Sequence, residues 1–309
     1  MILIITPNPA VDRTLLLPTT FEVGGISRAK DTIVAAGGKG LNVARAIQIL
    51  DETVVCGGLV GGFSGQHLVA MAQQEGFGSC WTEIEPHTRT CFIVINPNGA
   101  DATVFNEPGP VISETDWANL KADVVREAHK ADLVCLCGSL PLGTLSEAPA
   151  DLIKDVRELG VPIWVDSSKL ALEKALEGRP TGIKINGDEA ADVLQRTVAD
   201  ISSAFDAALE IYRMGIPNVI LTLGGDGAVM VNAEGQWWAK HPPVEVVSTV
   251  GSGDTFLAGL VTGLVANLTP VEAVKRGVAA GTANALCPGG GAFDLVDFEQ
   301  LLACVEVAS

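Results

Sequence analysis

Six short apolar, largely β-branched runs recur along the chain, at Ile2–Thr6, Thr53–Val60, Asp132–Leu136, Pro162–Asp166, Gly182–Ile185 and Asn218–Thr222. None shows the strict in-and-out alternation of a sheet with one wet face, so each reads as a strand buried on both sides. Longer amphipathic stretches lie between them, at Gly40–Leu50, Gln66–Glu75, Ser113–His129, Ser146–Leu159 and Asp200–Met214. Buried strands separated by helices require crossover connections. The pattern therefore predicts an α/β fold with a mainly parallel sheet covered by helices on both faces. Two segments break it: Arg13–Val34 and Thr90–Asn106 are extended, partly polar and without an intervening helix. They are expected to pair as a small β-sheet standing off the main body, a lid or contact surface within one domain spanning 1–309. From Ser252 onward the chain reads as successive helices.

Composition narrows the partners. Twenty Lys and Arg face 37 Asp and Glu, a formal net charge of −17, and apolar residues make up 48%. That apolar content excludes intrinsic disorder, and the acidic surface argues against a nucleic-acid partner. No apolar stretch is long enough to span a bilayer, and no basic leader precedes the first apolar run, so no membrane association is expected. The seven cysteines follow no ligand or disulfide spacing and read as free thiols of a cytoplasmic protein. The four histidines are scattered without metal-ligand spacing.

Against this acidity, two glycine-rich motifs look suited to phosphate. The first is Ser248-Thr-Val-Gly-Ser-Gly-Asp254, followed by Thr255-Phe-Leu-Ala-Gly-Leu260. Gly251 and Gly253 allow a tight turn whose N–H groups converge on an anion, and a helix starting near Ser252 adds its positive end. A carboxylate there would repel a phosphate. Asp254 makes sense either as a base accepting a proton from an attacking hydroxyl or as a plain helix N-cap. The second is Ala36-Gly-Gly-Lys-Gly-Leu-Asn-Val-Ala-Arg45. It has neither Walker P-loop spacing nor a GxGxxG following a strand, and it reads as a close-approach turn or simply a helix start. Asp12 follows the first strand, at the end of a parallel sheet where ligands sit.

Together these motifs resemble the PfkB, or ribokinase-like, carbohydrate kinases. The likeness covers nearly the whole chain and rests on Gly37–Ala44 and Ser248–Leu260, in the family's order and separation. Asn8-Pro-Ala-Val-Asp12, Thr88-Arg-Thr90, Asn106-Glu-Pro-Gly-Pro110 and Gly138-Ser-Leu-Pro141 resemble the 1-phosphofructokinase and tagatose-6-phosphate kinase branch. The resemblance implies a three-layer α/β/α ribokinase-like core with a small β lid. It also implies ATP-dependent phosphorylation of a sugar that already carries a phosphate, with fructose 1-phosphate giving fructose 1,6-bisphosphate as the leading substrate. Tagatose-6-phosphate or fructose-6-phosphate kinase, and then a kinase for an unphosphorylated sugar or nucleoside, follow. A non-catalytic sugar-phosphate or nucleotide sensor on the same scaffold is the reading of another class.

By resemblance, Asp254 is the base and the amides of Gly251, Ser252 and Gly253 form the anion hole. Asp12, Gly38 and Asn42 hold sugar hydroxyls, while Lys39, Arg89, Ser139 and, on the lid, Arg28 meet the phosphate already on the sugar. Asn186 and Glu189 place Mg2+ and nucleotide phosphates, Glu189 through water, with Lys184 nearby. Thr222, Gly224 and Gly227 border ATP, and Asn284 with Gly289–Gly291 walls the adenine. A homodimer through the lid is expected. Ile185 stands where relatives usually have proline, and Lys169 where this branch usually has glycine. The charge pattern leads to an acidic protein with one electropositive pocket around Lys39 and Arg89.

Overall fold

In the computed structural model, which describes residues 1–96, 102–287 and 289–309, β1 (Ile2–Ile5) lies wholly buried inside a large sheet. Successive side chains of a strand point to opposite faces. Ile2 and Ile4 accordingly enter one apolar core, and Leu3 and Ile5 a second. This is why the sequence shows continuous apolar runs rather than alternation.

Around β1, seven strands run parallel in the order β5 (Gly78–Ile84), β4 (Val54–Gly61), β1, β8 (Leu133–Cys137), β9 (Ile163–Asp166), β10 (Gly182–Asn186) and β11 (Asn218–Thr222). Beyond β11 the sheet continues antiparallel through β12 (Ala228–Asn232), β13 (Gly235–Lys240) and β14 (Glu306–Ala308). Helices α1 (Lys39–Ile49), α2 (Gly62–Gln74), α8 (Ser252–Val265), α9 (Pro270–Ala285) and α10 (Leu295–Cys304) build the first core. The second is built by α3 (Glu114–Ala128), α4 (Ala148–Glu158), α5 (Lys169–Glu177), α6 (Gly187–Leu194) and α7 (Ile201–Arg213). The result is the expected three-layer α/β/α body with a mainly parallel sheet.

The segments singled out for a lid form a separate sheet, ordered β3 (Asp31–Gly37), β2 (Ala10–Leu16), β6 (Arg89–Ile95) and β7 (Ala102–Asn106). Its limits differ from those expected. β2 starts at Ala10 and β3 runs to Gly37, so Asp12 is itself a lid-strand residue. The stretch between β2 and β3 contains no strand and is largely exposed, with Val23 at 94% and Ile26 at 89% exposure. The middle of the second segment, 97–101, lies outside the described residues.

Strand β5 and the short helices α5 and α6 were not among the expected elements. β5 is half-wet at the sheet edge, its burial alternating along Gly78–Ile84, so it lacks the apolar continuity of the central strands. Helix α8 is buried almost all round from Asp254 to Gly263, and it packs on α9 at close range. A methyl group at Gly259 would stand 2.5 Å from the Arg276 carbonyl oxygen. That close packing fixes the N-terminus of α8 against the sheet. No helix among the described residues is long and apolar enough to cross a membrane.

Candidate active site

The N-termini of α1 and α8 meet the C-terminal ends of β1, β8, β9 and β10, which is where open parallel sheets bind ligands. Asp254 sits in the first turn of α8 and is only 7% exposed. Its carboxylate accepts a hydrogen bond from Asn42 Nδ2 at 2.9 Å. Burial pushes the Asp254 carboxyl up to about 6; nearby Lys39 opposes this, Asp166 adds to it, and the Asn42 bond and Lys184 pull it down. Such a group is ionised at neutral pH yet basic enough to accept a proton from a hydroxyl.

The turn ahead of it is built as the glycines suggested. Gly251 is the helix N-cap in the left-handed region, at φ 78°, and a side chain there would stand 2.4 Å from Gly290 Cα. Ser252 N–H is drawn into the turn, donating to Thr249 O at 3.2 Å. Gly253, in the first turn of α8, has no carbonyl within the helix for its N–H to meet. A methyl group on Gly253 would come 2.8 Å from Lys184 Nζ, so this glycine is where the amides and an ammonium group come together.

Asp166, which the sequence reading did not assign to the site, is its electrostatic centre. It ends β9, is wholly buried, and bridges Lys39 and Lys184, the latter at 3.1 Å. Despite its burial, Lys184 and Lys39 hold its carboxyl below the usual carboxylate range. Burial works against charge on Lys39, but Asp166, Asp254 and Glu189 outweigh it and hold the ammonium above the usual lysine range. Glu189 Oε1 lies 3.9 Å from Lys39 Nζ. Lys39 is thus tied to Asp166 and Glu189 in this structure. The signal for Asp166 was an acid ending an otherwise apolar strand, Ile163–Asp166.

A second cluster forms at the start of the lid. Asp12 lies over Gly37, so closely that any side chain at Gly37 would overlap its carboxylate, and it accepts from the Gly38 backbone. Burial pushes Asp12 up to about 6, against the pull of Arg89 and then Arg45. Arg89 is held by the Asn8 carbonyl, at 3.2 Å from Nε and 3.0 Å from Nη2, and by Glu107 O at 3.1 Å. Asn8 in turn donates from Nδ2 to Ser139 Oγ at 3.2 Å and to Pro108 O at 3.2 Å. Asn8 is 2% exposed and organises both phosphate candidates, yet nothing in its local sequence marked it beyond the motif. The Asn42 amide is engaged between Arg45 and Asp254. Arg28 is exposed on the stretch after β2 and makes no hydrogen bond to these groups among the described residues.

On the far side, Asn186 and Glu189 form a reciprocal cap at the start of α6. Glu189 N donates to Asn186 Oδ1 at 2.8 Å and Asn186 N to Glu189 Oε2 at 2.9 Å. This leaves Glu189 Oε1 as the available acceptor, and no group of three or more His, Cys, Asp or Glu among the described residues could hold a metal. So sparse a set fits only a cation that keeps most of its waters or takes phosphate oxygens, as magnesium does. Ile185 continues β10 into the second core, so replacing proline there leaves Lys184 and Asn186 on one face of the strand. Thr222 ends β11 with its hydroxyl on Ile185 O at 3.3 Å, and Gly224 is exposed beside it. Gly227 belongs to the hairpin instead, because a side chain there would stand 2.0 Å from Ala239 O. Lys169 is exposed at φ 53° at the start of α5.

Two further placements concern the residues expected to wall the adenine. Asn284 is wholly buried, donating to Val250 O at 2.9 Å and accepting from Gly291 N at 2.9 Å and Thr255 Oγ1 at 3.1 Å. Gly290 and Gly291 pack on Gly251 and Asn42. These residues brace the turn before Asp254. Nor is the cleft electropositive as a whole: Asp12, Asp166, Glu189 and Asp254 share it with Lys39, Lys184 and Arg89. Its positive character is confined to amides and to single ammonium or guanidinium groups facing particular atoms.

The chain is similar to known proteins over nearly its whole length. The model of the pfkB family carbohydrate kinases matches residues 6–295. The tagatose-6-phosphate kinase of Staphylococcus epidermidis is 31% identical over 310 residues, covering 99% of each chain. The 1-phosphofructokinase of Escherichia coli K12 is 34% identical over 261 residues, covering 84% of this chain and 83% of that protein. Escherichia coli phosphofructokinase-2 in complex with potassium superposes with a TM-score of 0.92 at 29% identity over 98% of both chains. Its tetrameric inhibited form superposes at 0.90 and 30% identity, also over 98% of both. The chain belongs to the pfkB family of carbohydrate kinases.

Proposed function

We propose that this protein transfers the γ-phosphoryl group of ATP to a phosphorylated ketohexose, with fructose 1-phosphate, giving fructose 1,6-bisphosphate, as the leading acceptor. Tagatose 6-phosphate and fructose 6-phosphate are the alternatives. The observation that carries the reading is the pairing of a buried base, Asp254, with a separate arginine–serine cluster. In that cluster, three of the five Arg89 N–H groups hold backbone carbonyls and two have no partner among the described residues. Ser139 Oγ takes its hydrogen bond from Asn8, which leaves its own O–H free to donate. A dianion on the sugar finds there the donors that phosphate recognition favours.

In the proposed reaction, Asp254 accepts the proton of the acceptor hydroxyl as its oxygen forms the new bond to phosphorus. The bond to the ADP oxygen breaks in line. Charge on the transferred group falls against the first-turn amides of α8 and Lys184. Asp12 and Gly38 hold sugar hydroxyls. Glu189 Oε1, through water, would help hold magnesium, which would offset the charge of the donor phosphates. The main sheet and lid act as one kinase unit over 1–309, and closure of the lid would exclude water. All seven cysteines are free, which suits a cytoplasmic setting.

The same reading includes a homodimer through the lid. Ile33 and Val104 are 53% and 50% exposed, and their register with Thr14 and Ile93 places both on the sheet face that carries Asp12. Light scattering of wild type against Ile33→Asp tests it: a monomeric wild type rejects the lid dimer. A coupled assay across fructose 1-phosphate, fructose 6-phosphate, tagatose 6-phosphate and unphosphorylated fructose tests the activity. Turnover should be confined to the phosphorylated sugars. Ligand binding by calorimetry without ADP release would return the protein to the sensor class.

A further inference from the structure

We infer that Arg45 is a positioning residue for the reaction: it fixes which way round the Asn42 amide stands, so that an N–H and not an oxygen meets Asp254. This rests on Asp254 acting as the base. Arg45 follows Asn42 by three residues on α1, so the two side chains share one face of the helix. Arg45 Nη1 donates to Asn42 Oδ1 at 3.1 Å, and Asn42 Nδ2 donates to Asp254 Oδ2 at 2.9 Å. The guanidinium is itself clamped. Its Nη2 meets Glu75 Oε1 at 2.7 Å, its Nε meets Glu75 Oε2, and Nη2 also donates to the Ala36 carbonyl. Glu75 stands at the C-terminal end of α2, so two helices and the end of β3 hold the fork in place.

The logic is one of donors and acceptors. An arginine can only donate, an ionised carboxylate can only accept, and an asparagine amide presents one of each. Between Arg45 and Asp254, one orientation makes two hydrogen bonds. The other sets NH2 against guanidinium and oxygen against carboxylate, leaving two mismatches in a buried place. Arg45 therefore removes the wrong orientation without touching the base. This matters because Asp254 is desolvated, and the Asn42 donor is among the groups that keep it ionisable near neutral pH. Arg45 also lies close enough to lower the Asp12 carboxyl, so one side chain serves two of the cleft's carboxylates.

The test is the pH dependence of kcat at saturating ATP and sugar phosphate in Arg45→Met, Asn42→Leu and the double variant. Without Arg45 the acid limb should move up by about half a unit to one unit, an about three- to tenfold loss of kcat on the acid side, with recovery at high pH. In the Asn42→Leu background, removing Arg45 should move that limb no further. A pH-independent loss would make Arg45 a packing residue only, and an undiminished shift in the Asn42→Leu background would mean that its charge acts directly. Either result overturns the proposal. Should Arg45→Met fail to fold, Glu75→Leu leaves the arginine in place but unclamped and should give a smaller shift in the same direction; an unmoved limb there counts against the relay. If Asp254→Asn retains near wild-type kcat, it is the assignment of the base that has failed.

Discussion

Lys184 and Asp166 form an ion pair at 3.1 Å on neighbouring strands, with side-chain exposures of 3% and 0%. Asp166 also holds Lys39, so a single carboxylate keeps two ammonium groups buried beside the base. Removing one partner of such a pair leaves uncompensated charge in a low-dielectric place. Asp166→Ala is therefore expected to destabilise the fold by about 3–5 kcal/mol, and turnover should fall with it. Urea unfolding monitored at the tryptophans, beside the initial rate at a temperature where the variant remains folded, checks both. A loss under 1 kcal/mol would show that water reaches the lysines.

Asp254→Asn should lower kcat by about two to four orders of magnitude while sugar-phosphate binding persists. It should also stabilise the protein in a pH-dependent way. Burial pushes the folded carboxyl up to about 6 from its ordinary 3.8, so the native state binds the proton more tightly than the unfolded chain does. Stability from this group is present below pH 4 and is lost as pH rises through 6. The variant mimics the protonated form, so its advantage over wild type should open between about pH 4 and 6 and then level off, at on the order of 2–3 kcal/mol by pH 8. Melting curves at pH 5 and pH 8 read the difference directly. An equal gap at both would refute the raised pKa.

Gly253→Ala places a methyl group 2.8 Å from Lys184 Nζ. The lysine end can swing aside, so stability should stay within about 1 kcal/mol of wild type. Its ammonium would no longer sit against the α8 amides, and kcat should fall about ten- to a hundredfold. Steady-state kinetics beside a melting curve separates the two effects; unchanged kcat would place Lys184 outside the reaction.

Arg89→Ala should raise KM for the sugar phosphate about ten- to a hundredfold and leave KM for ATP nearly unchanged. Comparable changes in both would remove Arg89 from the phosphate subsite. Unphosphorylated fructose provides the control, since any residual activity on it should not respond to the substitution.

How far the sequence reached follows from which interactions are local. The central strands were legible because burial on both faces leaves an uninterrupted apolar run, as in Ile2–Ile5, and the helices beginning near Ser113 and Asp200 were legible as long amphipathic stretches. The two glycine motifs marked the turns before α1 and α8, because only residues without a Cβ allow backbone to approach so closely there. Edge strand β5 escaped notice because an edge is half-solvated and loses that apolar signature.

The site's wiring was decided by the fold alone. Asp166 and Lys39 are 127 positions apart and Asn42 and Asp254 are 212 apart, so no local pattern could state that they touch. The sequence by itself determined the layered sheet and several of the helices, which rest on short-range periodicity, and its two glycine motifs carried the family resemblance. Only the tertiary structure showed that Lys39 is neutralised by carboxylates, that Asn284 braces a turn, and that a −17 chain carries a balanced cleft rather than a positive one. The physical reason is that charge interactions and amide orientation depend on distances of a few ångströms, which are set when remote strands and helices pack together.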